Sequence, residues 1–173
     1  MTIKRRGTTS ALKRLAYAQL LILGFSLTHA IQAAPARSLM SGFNPLIGGQ
    51  WVLGSTYQTY TWGPDQQSVF GESFVIHNGE KALGAKGLWY FDPASKTIKG
   101  VFVATNMPFT VLHYRSHFEA GMLISQVRSL DNLGTENHYQ ETIRVTQPDA
   151  YLWELTEAEP AGNTMKAEFH RTP

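Results

Sequence analysis

Turn-forming residues recur about every ten positions along most of this chain, and this spacing limits what it can fold into. The sharpest signal is Asn78-Gly79, because both residues tolerate the positive φ angles that a type I′ hairpin requires. Similar signals occur at Asp92-Pro93, Ala120-Gly121 and Gln147-Pro148-Asp149. The segments between them have strand length and are rich in Val, Ile, Thr, Tyr, Phe and Trp. The sequence therefore predicts an all-β fold.

Within these segments apolar residues alternate with polar ones. Phe169 shares one face of its segment with Ala167 and Arg171, whereas Glu168 and His170 take the other. No segment after the N-terminal region has the periodicity of an amphipathic helix. This pattern indicates an antiparallel sheet with one covered face.

Nine or ten short strands must either close into a barrel or split into two sheets. Short turns between successive strands favour a single antiparallel up-and-down β-barrel of about 8–10 strands. A jelly roll or a sandwich is the alternative fold. Barrels of this size can hold one small ligand.

Residues 1–33 have the pattern of a secretory signal peptide. An apolar run at 15–27 is too short to span a bilayer comfortably, which takes about 20 residues. Small residues follow it and offer cleavage after Ala30 or Ala33. Basic residues precede it: Lys4, Arg5, Arg6, Lys13 and Arg14. We therefore expect export to a bacterial periplasm or to the exterior, with an uncleaved anchor as the alternative.

The rest of the chain divides into a short lead-in and one domain. Residues 34–45 carry prolines and no periodicity, which predicts a flexible segment. Residues 46–173 carry the strand pattern and are expected to form the barrel. After cleavage we expect no stable membrane span.

Charge and cysteine content exclude several classes of function. The 15 Lys and Arg and 13 Asp and Glu give a net charge of +2, but five of the basic residues lie in the leader. The mature chain therefore has ten basic residues against 13 acidic ones, and we expect no nucleic-acid partner. The absence of cysteine excludes disulfides, thiolate metal sites and a cysteine nucleophile.

The two ends of the domain resemble those of calycin barrels, the lipocalins and their bacterial relatives. Gly49-Gln50-Trp51 opens the first predicted strand, and Arg171 lies in the last. The resemblance implies that Gly49, Trp51 and Arg171 form a structural signature in which the arginine packs across the indole and closes one end of the barrel. A guanidinium over an indole face contributes about 1 kcal/mol when it is partly desolvated.

The chain also resembles small bacterial lipocalin-like secreted proteins of uncharacterised function. The matching segments are 60–64, 87–93 and 139–142, and the resemblance spans 46–171. The chain departs from many secreted lipocalins because it has no cysteine pair, and no long helix is predicted before the last strand. The ligands of vertebrate lipocalins are therefore not carried over.

Two acidic residues are candidates for chemistry. Glu141 is in phase with Ile143, and Glu72 lies between Phe70 and Phe74, so both are predicted to face the apolar side. A buried carboxyl is costly unless it is paired, and its pKa tends to rise. Such a group can anchor a ligand or act as an acid or base, whereas pairing with an arginine would make it structural.

Aromatic residues are the expected lining of a ligand cavity. The candidate binding residues are Trp62, Trp89, Tyr90, Tyr114, Tyr139 and Trp153, together with Glu141. The alternative is that these side chains fill a solid core.

No metal is expected. His113 and His117 are four residues apart, a spacing that on a strand separates them by about 13 Å. No cofactor is expected either, although some calycin-like barrels bind haem through a histidine near the C-terminus. His170 lies in that region, but its strand phase points outward.

Three functions remain open. The first is a secreted barrel that holds a small apolar or amphipathic molecule in an aromatic cavity. The second is an enzyme on the same scaffold, a cyclase, isomerase or lyase that uses one inward carboxylate with Tyr114 or Tyr139. The third is a structural or interaction protein with a solid core. The sequence does not predict an oligomeric state.

Overall fold

A computed structural model describes residues 39–105, 108–158 and 162–172, which all belong to one compact unit, Ala36–Pro173. The predicted signal peptide and the first part of the lead-in lie outside the described residues. No helix among the described residues is long and apolar enough to cross a bilayer.

Ten antiparallel strands form one closed barrel. Each strand pairs with the next along the chain, and β1 pairs with β10 to complete the closure. The all-β up-and-down barrel is therefore confirmed, and the sandwich and jelly roll are not what the chain forms. The strands are β1 Gln50–Leu53, β2 Thr56–Trp62, β3 Ser68–His77, β4 Glu80–Asp92, β5 Thr97–Ala104, β6 Val111–Glu119, β7 Met122–Leu130, β8 Glu136–Gln147, β9 Ala150–Glu157 and β10 Thr164–Thr172.

Two of the predicted turns form two-residue hairpin loops with positive φ angles at both positions. Asn78 and Gly79 join β3 to β4 with φ angles of 51° and 80°, as a type I′ turn requires. Ala120 and Gly121 join β6 to β7 with φ angles of 48° and 78°. These turns set the register of the flanking strands, because a two-residue loop fixes which residues of the two strands pair.

Large aromatic side chains fit in the interior because glycines lie beside them on nearby strands of the sheet. A Cβ atom on Gly71 would lie 2.9 Å from the Phe102 ring, and one on Gly100 would lie 2.8 Å from Trp89. Both distances are shorter than carbon atoms tolerate. The bare glycine backbones on β3 and β5 therefore leave the space that the two rings fill.

A short 3-10 helix, Ser41–Leu46, closes one end of the barrel. Met40, Phe43 and Leu46 are all buried there, and the Phe43 ring lies 5.5 Å from that of Trp89. The lead-in was predicted to be flexible over 34–45, but from residue 39 onward it is structured. The reason is that its apolar side chains cover the end of the core.

Candidate functional site

The barrel interior contains a cavity of about 370 Å³ on the side away from the 3-10 helix. Pro108 and Phe109, which line it, belong to the β5–β6 loop. In an up-and-down barrel that loop lies at the end opposite to the start of β1. Six aromatic side chains line it: Tyr60, Trp89, Phe102, Phe109, Tyr114 and Trp153. The interior is therefore not filled, and the volume is within the range of small-molecule sites, about 300–1,000 Å³.

Glu141 is the buried acidic group of this cavity. Strand β8 turns it inward in phase with Ile143, and its side chain is 6% exposed. Oε1 accepts a hydrogen bond of 2.8 Å from Nε1 of Trp153 on β9. Oε2 has no hydrogen-bond partner among the described residues. An acceptor left unpaired in such a place costs free energy that a ligand can recover.

The environment of Glu141 shifts its protonation. Burial raises the pKa of its carboxyl to about 7, although the hydrogen bond from Trp153 acts in the opposite direction. No Lys, Arg or His is among the described residues that line the cavity. Near neutral pH this carboxyl therefore exists in both protonation states, without a basic side chain from the wall to neutralise it.

Two tyrosines complete the polar part of the wall. Burial, and then the charge of Glu141, raise the pKa of Tyr114, and burial raises that of Tyr60 despite its hydrogen bond with Tyr151. The Tyr60 hydroxyl donates to Oε1 of Gln58 at 2.7 Å, and the Tyr151 hydroxyl donates to the same oxygen. Both cavity phenols therefore stay protonated, and Glu141 is the buried group of the wall that can carry charge near neutral pH.

The structure brings four of the predicted binding residues together. Trp89, Tyr114, Glu141 and Trp153 all line the cavity. Trp62 and Tyr139 pack against the core but do not line it.

Tyr90 does not belong to this site. It is 38% exposed on the outer face, between the buried Trp89 and the half-buried Phe91. The run of three aromatic residues on β4 gave no sequence signal for which of them faces out, and the strand can turn only every second one inward.

Glu72 is the clearest correction. Gly71 faces the interior, so the alternation of β3 directs Glu72 outward although it borders the cavity. Its carboxylate pairs with Lys81 at 3.3 Å and is 29% exposed. The prediction that Glu72 faces inward is wrong because Phe70 and Phe74, which carried its phase, lie on the outer surface.

Phe74 points away from the barrel interior but is covered there by neighbouring side chains. Its ring stacks on that of Tyr57 at 5.2 Å, and the Lys81 ammonium lies 3.9 Å from its centroid. The apolar face of β3 therefore belongs to a small external cluster.

The histidines lie apart from the cavity. His117 is exposed beside Glu119 at 3.5 Å, and His170 is exposed on β10. Among the described residues, no three His, Asp or Glu side chains are grouped as a metal site requires.

The residues of the predicted signature meet at the closed end. Trp51 and Arg171 are directly opposed on β1 and β10, and the guanidinium lies 4.4 Å from the indole centroid. Arg171 also donates to the carbonyl of Pro45, and Trp51 Nε1 donates to that of Leu46 at 2.9 Å. Gly49 has a φ of 69°, and its α-carbon lies against the arginine side chain.

Sequence reasoning missed much of the cavity wall, including Gln58, Tyr60, Phe102 and Phe109. Tyr60 and Gln58 share the inward phase of β2 with Trp62, and this alternation was the signal that could have found them. Phe102 shares the inward phase of β5 with Ile98 and Gly100, so the same signal applied to it. Phe109 carries no such signal, because it lies in the β5–β6 loop.

Neither a scan against protein-family models nor a search of curated proteins finds a match to this chain. The closed antiparallel barrel is consistent with a calycin or lipocalin-like fold. Function must therefore be argued from the cavity itself.

Proposed function

We propose that this protein is a calycin-like binding protein that holds one small apolar or amphipathic molecule inside its barrel. The observation that carries the proposal is a buried carboxyl, Glu141, with an unpaired oxygen in a cavity lined mainly by aromatic and aliphatic side chains. Sites for small molecules combine apolar walls with a few placed polar groups in this way. The proposal needs no metal, haem or other cofactor.

Export belongs to the same proposal. The leader predicts that the mature chain begins at Ile31 or Ala34, after cleavage at Ala30 or Ala33. The intact mass of the protein from a periplasmic extract decides between these ends. A full-length mass in the membrane fraction would favour the uncleaved anchor instead.

The first experiment is native mass spectrometry of the protein purified from its own periplasmic extract. Binding predicts a discrete added mass that is lost on denaturation. The second is titration with N-phenyl-1-naphthylamine, a fluorescent apolar probe that is uncharged at neutral pH. A bare polypeptide that also fails to bind the probe would overturn the proposal.

A pair of variants tests whether the probe binds inside the cavity. Ala85 lines the cavity, so Ala85→Trp should fill it and weaken probe binding about tenfold or more. Val103 is 53% exposed on the outer face, so Val103→Trp adds a similar bulk outside the barrel. Equal effects of the two variants would show that the probe does not enter the cavity.

Acid–base catalysis is the second candidate. The specific observation in its favour is that the Glu141 carboxyl, with a pKa of about 7, lies in one cavity with the Tyr114 hydroxyl. Incubation of the protein with the molecule found by mass spectrometry separates the two functions. Conversion that is lost in Glu141→Gln indicates an enzyme, whereas an unchanged molecule indicates a binder.

A further inference from the structure

The charge balance of the cavity points to the class of ligand, provided that the cavity binds a small molecule as proposed above. Glu141 is the acid of the wall with a buried, unpaired oxygen, and the wall contains no basic side chain among the described residues. Trp153 already donates to Oε1, so within the described part of the chain Oε2 lacks a donor, while Nε1 of Trp89 in the same wall lacks an acceptor. A buried carboxylate without a counter-ion is costly, and a ligand cation is the group that removes this cost most completely.

The rings that line the same cavity suit a cation as well. Trp89 lies 4.4 Å from Phe102 and 5.6 Å from Tyr114, measured between ring centroids, with interplanar angles of 57° and 70°. Phe102 and Tyr114 are 5.4 Å apart and inclined by 64°. Aromatic faces attract an ammonium group within about 6 Å of the centroid, and tryptophan does so most strongly. The same rings offer apolar surface to the remainder of a ligand.

Size and charge exclude other classes. A cavity of about 370 Å³ is near the lower limit of ligand sites, which favours a compact molecule over a long-chain lipid. An anionic ligand would oppose the charge of Glu141 and would find no Lys, Arg or His among the described lining residues. A neutral alcohol could donate to Oε2 but would leave the charge of the carboxylate unbalanced.

We propose that the ligand is a small organic amine, whose ammonium group pairs with Oε2 of Glu141 while its apolar body packs against Trp89, Phe102 and Tyr114.

The test is calorimetric titration with three compounds of similar shape: 2-phenylethylamine, 2-phenylethanol and 3-phenylpropanoate. We expect the amine to bind about tenfold or more tightly than the alcohol, because a charge-assisted hydrogen bond is about twice as strong as a neutral one. The anion should bind most weakly. Titration at pH 8 keeps Glu141 mostly ionised and the amine mostly protonated.

Two carboxyl variants test the role of Glu141. Glu141→Gln should remove the preference for the amine, while the affinity for 2-phenylethanol stays within about threefold. Glu154→Gln is the matched control, because Glu154 lies on the neighbouring strand, pairs with Lys166 at 3.0 Å and is partly exposed. This control should retain the full preference. Near-ultraviolet circular dichroism shows whether each variant keeps its aromatic packing.

The outcomes separate this inference from the proposed function. If amine and alcohol bind equally, or if the naphthylamine probe binds and none of the three compounds does, the amine class is wrong and the binding function stands. If neither the compounds nor the probe bind, both proposals fail. If Glu154→Gln removes the preference as fully as Glu141→Gln does, the amine is held outside the cavity and the inference is wrong.

Discussion

A tryptophan lies at each end of the barrel interior, but the two indoles differ in burial and in hydrogen bonding. At the closed end Trp51 is fully buried, its Nε1 donates to Leu46, and its ring packs 4.8 Å from that of Tyr151. At the cavity end Trp153 is only partly buried and bonds to a carboxyl that keeps one oxygen unpaired.

The two ends also differ in how their buried polar atoms are surrounded. Buried polar atoms in native proteins are nearly always paired, and an exception needs an explanation. The indole nitrogen of Trp51 is paired, and the residues around it fill the end of the barrel. Among the described residues, exceptions occur near both ends: Nε of Arg171 beside Trp51, and Oε2 of Glu141 and Nε1 of Trp89 in residues that line the cavity. The two ends therefore differ in packing: the unpaired atoms of Glu141 and Trp89 belong to side chains that line an empty space, whereas Arg171 packs on the buried Trp51 ring.

The largest expected effect comes from Trp51→Ala. Removing a fully buried indole should lower the free energy of unfolding by about 3–5 kcal/mol. Trp153→Ala, at the edge of an existing cavity, should cost less, about 1–2 kcal/mol. Urea denaturation followed by far-ultraviolet circular dichroism measures both. Equal losses would break the distinction between the two ends.

The next effect is a pH dependence that arises at Glu141. Its pKa is about 7 in the folded protein, against an ordinary value of 4.5 for a glutamate in water, so the folded protein binds the proton more tightly than the unfolded chain does. This contribution to stability is complete below about pH 4.5 and is lost as the pH rises through about 7. The shift corresponds to roughly 3 kcal/mol.

Comparison of the wild-type protein with Glu141→Gln isolates that contribution, since other carboxyls are common to both. Urea denaturation at pH 5 and at pH 8 should show the wild type losing stability relative to the variant at the higher pH. A constant difference between the two proteins at both pH values would contradict a buried, uncompensated carboxyl.

A smaller effect is expected from Arg171→Gln at the closed end. The substitution removes the cation–π contact with Trp51 and should cost about 1 kcal/mol. Probe binding in the cavity should stay within about twofold, because the contact lies at the other end. A large loss of binding with little loss of stability would show that the two ends are coupled.

The smallest effect is expected from Glu72→Gln. Its ion pair with Lys81 is partly exposed, and such pairs contribute about 0–1 kcal/mol. The substitution should leave ligand binding unchanged, unlike Glu141→Gln. An equal loss of binding in the two variants would mean that both carboxyls face the ligand, as the sequence pattern alone suggested.

Much of the architecture could be predicted because turns and alternation are local properties. The Asn78-Gly79 hairpin needs only two residues that adopt positive φ, and the inward phase of Glu141 follows from the spacing of Ile143 and Tyr139 along β8. The pairing of Trp51 with Arg171 was predicted only through a resemblance, since the two residues lie at opposite ends of the chain.

Turn residues and alternation were enough to predict that the chain forms short antiparallel strands, where they turn, and which residues share a strand face. Where both faces of a strand carry large apolar side chains, the inward face follows only from the folded barrel. On β3 the small Gly71 faces the core and the large Phe70 faces out, because the interior space there is already filled by Phe102 from another strand. The structured conformation of Met40 and Phe43 also depends on the tertiary fold. Their apolar side chains are buried only because the closed barrel provides an apolar end for them to cover.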